Sequence, residues 1–172
     1  TKAPITEAAA SLWPLYVEAW EDKWGFVPPT QEEFAHLSRG LRPLVDPRLS
    51  CMAEIRGEPV GFWIFVRNFN KVFQKIPSGR LGPAAAWHLL VGSRSVKEGR
   101  VILFGIKKEV RRMGLYPAFV HELVTRGVAA GMVKGEGSWI LEDDLDSLSP
   151  LESMGARTHK RWRIYEKELV VS

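Results

Sequence analysis

Between Gly99 and Gly131 the chain reads GRVILFGIKKEVRRMGLYPAFVHELVTRGVAAG, and this stretch limits the fold more than any other. Val101-Ile102-Leu103-Phe104 is branched, aromatic and apolar, and its length suits a buried strand. A basic turn follows, Lys107-Lys108-Glu109-Val110-Arg111-Arg112-Met113-Gly114. Pro117 then falls where a first helical turn tolerates proline. Ala118, Val120, Leu123, Val124 and Val128 recur at helical spacing up to a stop at Gly131. A strand that feeds a helix through a positive, glycine-bearing turn gathers backbone N–H groups and the positive helix end in one place. That combination suits phosphate, although strand-turn-helix units are common and paired arginines often only cover a solvated corner.

The 172 residues are enough for one domain with a substantial core. Hydrophobic residues make up 45% and charged residues 26%, the balance of an ordinary globular chain. No apolar run reaches the length of a membrane span, and no signal peptide is visible. One cysteine, Cys51, excludes an intramolecular disulfide and a cysteine-based metal cluster, so no metal is expected and a reducing cytoplasm is the default setting. Cys51 sits in an apolar stretch and reads as a small core residue. The net charge of +4 is uneven: from Arg67 to Arg112 the balance is +9, and the remainder carries −5. Such asymmetry points to an anionic partner for the middle of the chain, either nucleic acid or a phosphorylated cofactor.

In chain order, Glu7 to Glu21 reads as a helix that Pro14 either kinks or divides. Thr30 and Glu33 form a capping box for a second helix to about Leu44, presenting Phe34, Leu37 and Leu41. Cys51 to Arg56 and Pro59 to Val66 make a β-hairpin around Gly57. Residues 68–98 are less regular and hold a short helix over Ala84 to Leu90. Gly135 to Leu141 reads as another strand, followed by the acidic run Glu142-Asp143-Asp144. Ser149-Pro150-Leu151-Glu152 opens a short helix to Met154 with Gly155 as its stop, and Arg157 to Val170 reads as a terminal strand bent near Lys160.

Arg111-Arg112-Met113-Gly114-Leu115-Tyr116, placed after a strand, resembles the coenzyme A pyrophosphate loop of the GNAT-type N-acetyltransferase superfamily. That loop reads Gln or Arg, two residues, Gly, one residue, then Gly or Ala. Arg111 and Gly114 match it, and Tyr116 stands where the small residue belongs. The order of elements is similar from the first helix onward, and residues 150–156 resemble the superfamily's last helix. The resemblance implies an α/β (α+β) fold with a mixed, mostly antiparallel sheet flanked by helices. Residues 68–98 become an insertion between the third and fourth strands, and the first strand is missing or very short. The chain is then a single domain, 1–172, or the C-terminal part of a longer protein.

The resemblance also implies a chemistry. In this superfamily the fourth and fifth strands splay, and the pantetheine arm of acetyl-CoA or another acyl-CoA runs between them. Leu103, Phe104, Gly105, Ile106 and Lys107 would supply backbone hydrogen bonds, and Arg111, Arg112, Met113, Gly114, Leu115 and Tyr116 would hold the pyrophosphate. A backbone N–H near Phe104 or Gly105 would face the oxyanion. Glu142 is the candidate base, although carboxylates at such positions often cap a helix. The superfamily's usual tyrosine acid is replaced by Leu151, which leaves Tyr116, Tyr165, a water or nothing as proton donor. The acceptor is an amine, with an apolar portion if Trp87 and Trp139 line its pocket.

Two other functions compete with acyl transfer. One is a GNAT-fold module that has lost catalysis and binds a ligand or another domain. The other is a nucleic-acid-binding domain, the weaker, because Phe69, Phe73 and Trp87 sit among aliphatic residues rather than as stacking platforms. Residues 68–98 are expected to fold as a lid carrying Phe73, Ile76, Leu81 and Trp87. The open sheet edge beside Cys51 to Arg56 is expected to be covered by an upstream segment, by a second copy in a homodimer, or by a strand stub at Lys2 to Thr6.

Overall fold

A four-stranded sheet in the order β1-β2-β3-β4 carries the first part of the chain in the computed structural model. The structure describes residues 9–74, 76, 82, 83, 92 and 95–167. The chain divides into two compact units, Thr1–Trp139 and Ile140–Ser172. β1 (Cys51–Ile55) and β2 (Glu58–Arg67) form the expected antiparallel hairpin, and β2 pairs antiparallel with β3 (Glu98–Ile106). β4 (Lys134–Glu136) runs parallel to the start of β3.

Alternation along β2 assigns the two faces of the sheet. Phe62 and Ile64 point to one side, where they pack with Leu12 and Leu15 of α1 (Ala9–Trp20) and Phe34 of α2 (Gln31–Leu41). Trp63 and Phe65 point to the other, where they meet Phe119 of α4 (Leu115–Ala129), with Leu49 and Ile106. A short α3 (Asn70–Phe73) follows β2. Pro14 lies inside a continuous α1: burial of Leu12, Leu15 and Ala19 outweighs the one backbone hydrogen bond that proline removes. The Thr30–Glu33 capping box forms as read, with Glu33 N–H donating to Thr30 Oγ1 at 3.2 Å and Thr30 N–H to Glu33 at 2.8 Å. Leu37, expected on the packed face of α2, is exposed.

α4 stops where Gly131 takes φ +70°. The Gly131 N–H donates to Val128 and the Met132 N–H to Gly127, the paired bonds of a Schellman motif. Gly105 permits another close approach. A side chain there would come within 2.9 Å of Ala19 and 2.8 Å of Phe62, so only glycine lets α1 settle on β3.

Several sequence expectations change. The strand expected over Gly135 to Leu141 is shorter, because Ser138 takes φ +62°, a left-handed conformation that breaks an extended run. The last helix, α5 (Leu145–Ser153), begins before Ser149: the Ser147 hydroxyl donates to the Asp144 carboxylate at 2.9 Å and closes a first turn there, leaving Pro150 inside. Arg157 to Lys167 has no regular structure, since no strand pairs with it among the described residues. The helix expected over Ala84 to Leu90 and the stub at Lys2 to Thr6 lie outside the described residues, as do Leu81 and Trp87 of the expected lid.

Candidate active site

The pairing of β3 produces an open strand edge. β4 accompanies β3 only through Arg100, and beyond it no strand pairs with that edge among the described residues. Antiparallel strands alternate which residues bond their partner. The Lys107 N–H donates to Val60 at 2.9 Å, so in this register Lys107, Gly105 and Leu103 turn their backbone groups to β2. Phe104 and Ile106 turn theirs outward. Two N–H groups thus stand about 6.8 Å apart along the edge. This narrows the expected oxyanion donor to Phe104, because the Gly105 N–H belongs to the β2 ladder.

Both outward carbonyls are already used. Trp20 Nε1 donates to the Phe104 oxygen at 2.8 Å, and Arg111 Nε donates to the Ile106 oxygen at 3.2 Å. Arg111 also reaches the Ala19 carbonyl at 3.1 Å, tying the end of α1 to the turn. The edge therefore offers two N–H donors, while each of its outward carbonyls already accepts one hydrogen bond.

The turn itself is a 3-10 helix, Lys108–Met113, closed by Gly114 at φ +75°, from which α4 starts. Gly114 has nothing within 4 Å of where a side chain would stand, and Arg112, Met113 and Gly114 are exposed. Tyr116 stays clear of this surface, because its ring packs edge-on against Phe104 at 4.9 Å within the apolar cluster under the sheet. The motif's departure at Tyr116 is thereby absorbed by the core. Leu115 and Tyr116 pack inward, so of the six residues assigned to the pyrophosphate, Arg112 to Gly114 carry the exposed surface.

Among the described residues, several bases of the middle of the chain are held in ion pairs. Lys71 meets Glu98 at 2.6 Å, Arg100 meets Glu136 at 3.4 Å, and Lys107 meets Glu18 at 3.1 Å. Lys108 is held by Glu21 at 2.7 Å and Asp22 at 2.6 Å. The hydrogen bond from Lys108 holds the Asp22 carboxyl below its usual range, and the same contact raises the Lys108 ammonium. Among the described residues of the turn, neither Arg111 nor Arg112 has an anionic partner; Arg111 is spent on two backbone carbonyls, and Arg112 is exposed. Sequence reasoning missed both Trp20 and the carboxylates Glu18, Glu21 and Asp22. A signal was present: acids at the end of a helix with no base in its last turn oppose the helix dipole, which implies tertiary cations to hold them.

Glu142 and Tyr165 belong to the second unit. Glu142 is exposed and paired with Arg161 at 3.2 Å and Arg163 at 2.7 Å. The hydrogen bond and charge of Arg163, with Arg161 behind it, lower its pKa and weaken it as a base. Tyr165 is 89% exposed on the irregular terminal segment. Cys51 is half-buried and its thiol is pushed up by burial, as suits an inert packing residue. Among the described residues no three His, Cys, Asp or Glu side chains cluster as metal ligands, and no helix is long and apolar enough to cross a membrane.

No family model matches the chain. Among solved structures it is similar to a ribosomal-protein-alanine N-acetyltransferase from Brucella melitensis biovar Abortus 2308, with TM-score 0.58 and 16% identity over 95% of each chain. The chain has a GNAT-like acyltransferase fold. It is similar as well to the structure of AAC(6')-Iy in complex with the bisubstrate analog CoA-S-monomethyl-acetylneamine, at TM-score 0.60 and 13% identity over 95% of this chain and 93% of that one. Identities this low mark a divergent member of the fold and carry nothing about its substrate. Closer in sequence are the bacterial ceramide synthase of Caulobacter vibrioides, 33% identical over 92% of this chain and 43% of that protein, and protein YghO of Escherichia coli, 31% identical over 96% and 44%. The chain spans less than half the length of these curated relatives. The four-stranded, mostly antiparallel open sheet flanked by helices fits the GNAT order, with residues 68–98 lying between its hairpin and β3.

Proposed function

We propose that this chain binds an acyl-CoA and transfers its acyl group to an amine. The observation that carries the proposal is the open edge of β3 beyond Arg100, which ends at an exposed glycine turn and the N-terminus of a fifteen-residue helix. In this scheme the acyl-pantetheine arm lies along the edge, with its carbonyl oxygens accepting from the Phe104 and Ile106 N–H groups. The diphosphate meets the backbone of Arg112 to Gly114, the Arg112 guanidinium and the positive end of α4. The amine attacks the thioester carbonyl, negative charge builds on its oxygen, and the Phe104 N–H stabilises it. The C–S bond then breaks to release CoA thiolate, and the amine gives up its proton. Glu142 and Tyr165 are the proposed proton acceptor and donor, with the ion pairs of Glu142 acting against its basicity.

The relative named a ceramide synthase favours an amine on a long apolar chain as the acceptor. Ceramide is the amide of a long-chain amino alcohol, so forming it from an acyl-CoA is an N-acylation of the class the fold supports. Calorimetric titration with acetyl-CoA and a long-chain acyl-CoA, followed by thiol release with short and long-chain amines, tests the proposal. Binding of a thioester with amine-dependent thiol release is the expected result. CoA binding with no release under any amine would leave a catalytically degenerate binding module.

A further inference from the structure

The C-terminal turn of α1 grips the same groups a cofactor would use. Glu18, Glu21 and Asp22 are acids at the negative end of a helix, a placement the helix dipole opposes. Lys107 and Lys108 of the turn hold them there, while Trp20 and Arg111 fasten the same stretch to the β3 edge. Lys108 is shared between two carboxylates that are 53% and 71% exposed, and is itself 36% exposed. Ion pairs so open to water are weak and exchange readily. A diphosphate at the neighbouring Arg112–Gly114 surface would bring more than one negative charge within reach of the flexible Lys108 side chain.

We propose that Glu21 and Asp22 are stand-ins for phosphate: they hold Lys108 before the cofactor binds and yield it to the diphosphate afterwards. The inference rests on the acyl-CoA reading and adds Lys108 to the cofactor contacts. It makes α1 the element that sets cofactor affinity. Each CoA bound must displace two carboxylates, and the protein in turn never exposes an unpaired ammonium at Lys108. Removing the carboxylates should tighten binding, the reverse of what loss of a structural ion pair does.

The test is calorimetric titration of CoA and of inorganic pyrophosphate into four proteins: the parent, Glu21→Gln with Asp22→Asn, Lys108→Met, and the triple variant. The substituted side chains are partly exposed, and circular dichroism checks that folding is kept. The acid pair is expected to bind both ligands about two- to fivefold more tightly than the parent at low salt. The gain should vanish in the Lys108→Met background and at an ionic strength of about 1 M. Equal or weaker binding by the acid pair overturns the exchange and leaves acyl-CoA binding intact, as does a gain that persists without Lys108. The predicted gain for pyrophosphate in the acid pair, with no binding of CoA by any of the four proteins, supports the exchange and overturns the acyl-CoA reading. A parent that binds neither overturns both.

Discussion

Asp46 shows how one residue settles a local structure. Its carboxylate is buried and accepts from Arg67 Nε at 2.8 Å, and Arg67 in turn donates to the Val96 carbonyl at 2.6 Å, locking the end of β2 to the approach of β3. Burial alone would raise its pKa, but bonds from Arg48 and Arg67 outweigh burial and lower it. A lowered folded pKa means stability that is full above the unfolded value and is lost as pH falls through the folded one. Asp46→Asn leaves Arg67 buried without its anion and should cost about 3 kcal/mol in urea unfolding at neutral pH. It should also flatten the loss of stability that the parent shows below about pH 4. Glu142 is the opposite case, an exposed carboxylate with two arginine partners. As the proposed proton acceptor, Glu142 is expected to lose about a hundredfold in turnover on Glu142→Gln, whereas a loss of less than about tenfold would hand the step to water or a neighbour. Neither the Asp46–Arg67 pair nor the pairs of Glu142 were legible in the sequence, because each joins residues nineteen or more positions apart.

At the scale of elements, what could be read depended on whether the instructions were local. The Thr30–Glu33 box, the Gly57 hairpin and the Gly131 stop were legible because a few adjacent residues dictate each. The true start of α5 was hidden because Asp144 and Ser147 close a turn ahead of the more conspicuous Ser-Pro pair. The terminal strand failed because a strand needs a neighbour, and none accompanies Arg157 to Lys167 among the described residues. Gly105 was legible as a strand residue, though not as the seat of α1. Gly105→Val should destabilise by about 1–3 kcal/mol through its clash with Ala19 and Phe62, read as a lowered melting temperature. Gly114→Asp sets a carboxylate in the exposed turn and should weaken CoA binding about tenfold or more, with only a small stability loss from its φ of +75°. Unchanged affinity would place the cofactor elsewhere.

For the molecule as a whole, the fold was legible because strand, turn and helix recur in an order that one architecture explains. The open edge of β3 was implied only through the resemblance, since its outward groups follow from a register that no sequence pattern prints. The basic middle misled at this scale: pairing with Glu18, Glu21, Asp22 and Glu136 offsets part of its charge, and in the proposed scheme the phosphate meets Arg112, the backbone around it and the Lys108 released from its acids. The proposed cofactor binding therefore rests on two amides. Titration of the isotope-labelled protein with acetyl-CoA, followed by amide resonances in solution, reads them directly. The predicted result is that the Phe104 and Ile106 amides and those from Arg112 to Leu115 shift and slow their hydrogen exchange, while those of β1 stay unchanged. Shifts confined to other parts of the chain, or none at saturating acetyl-CoA, would contradict it.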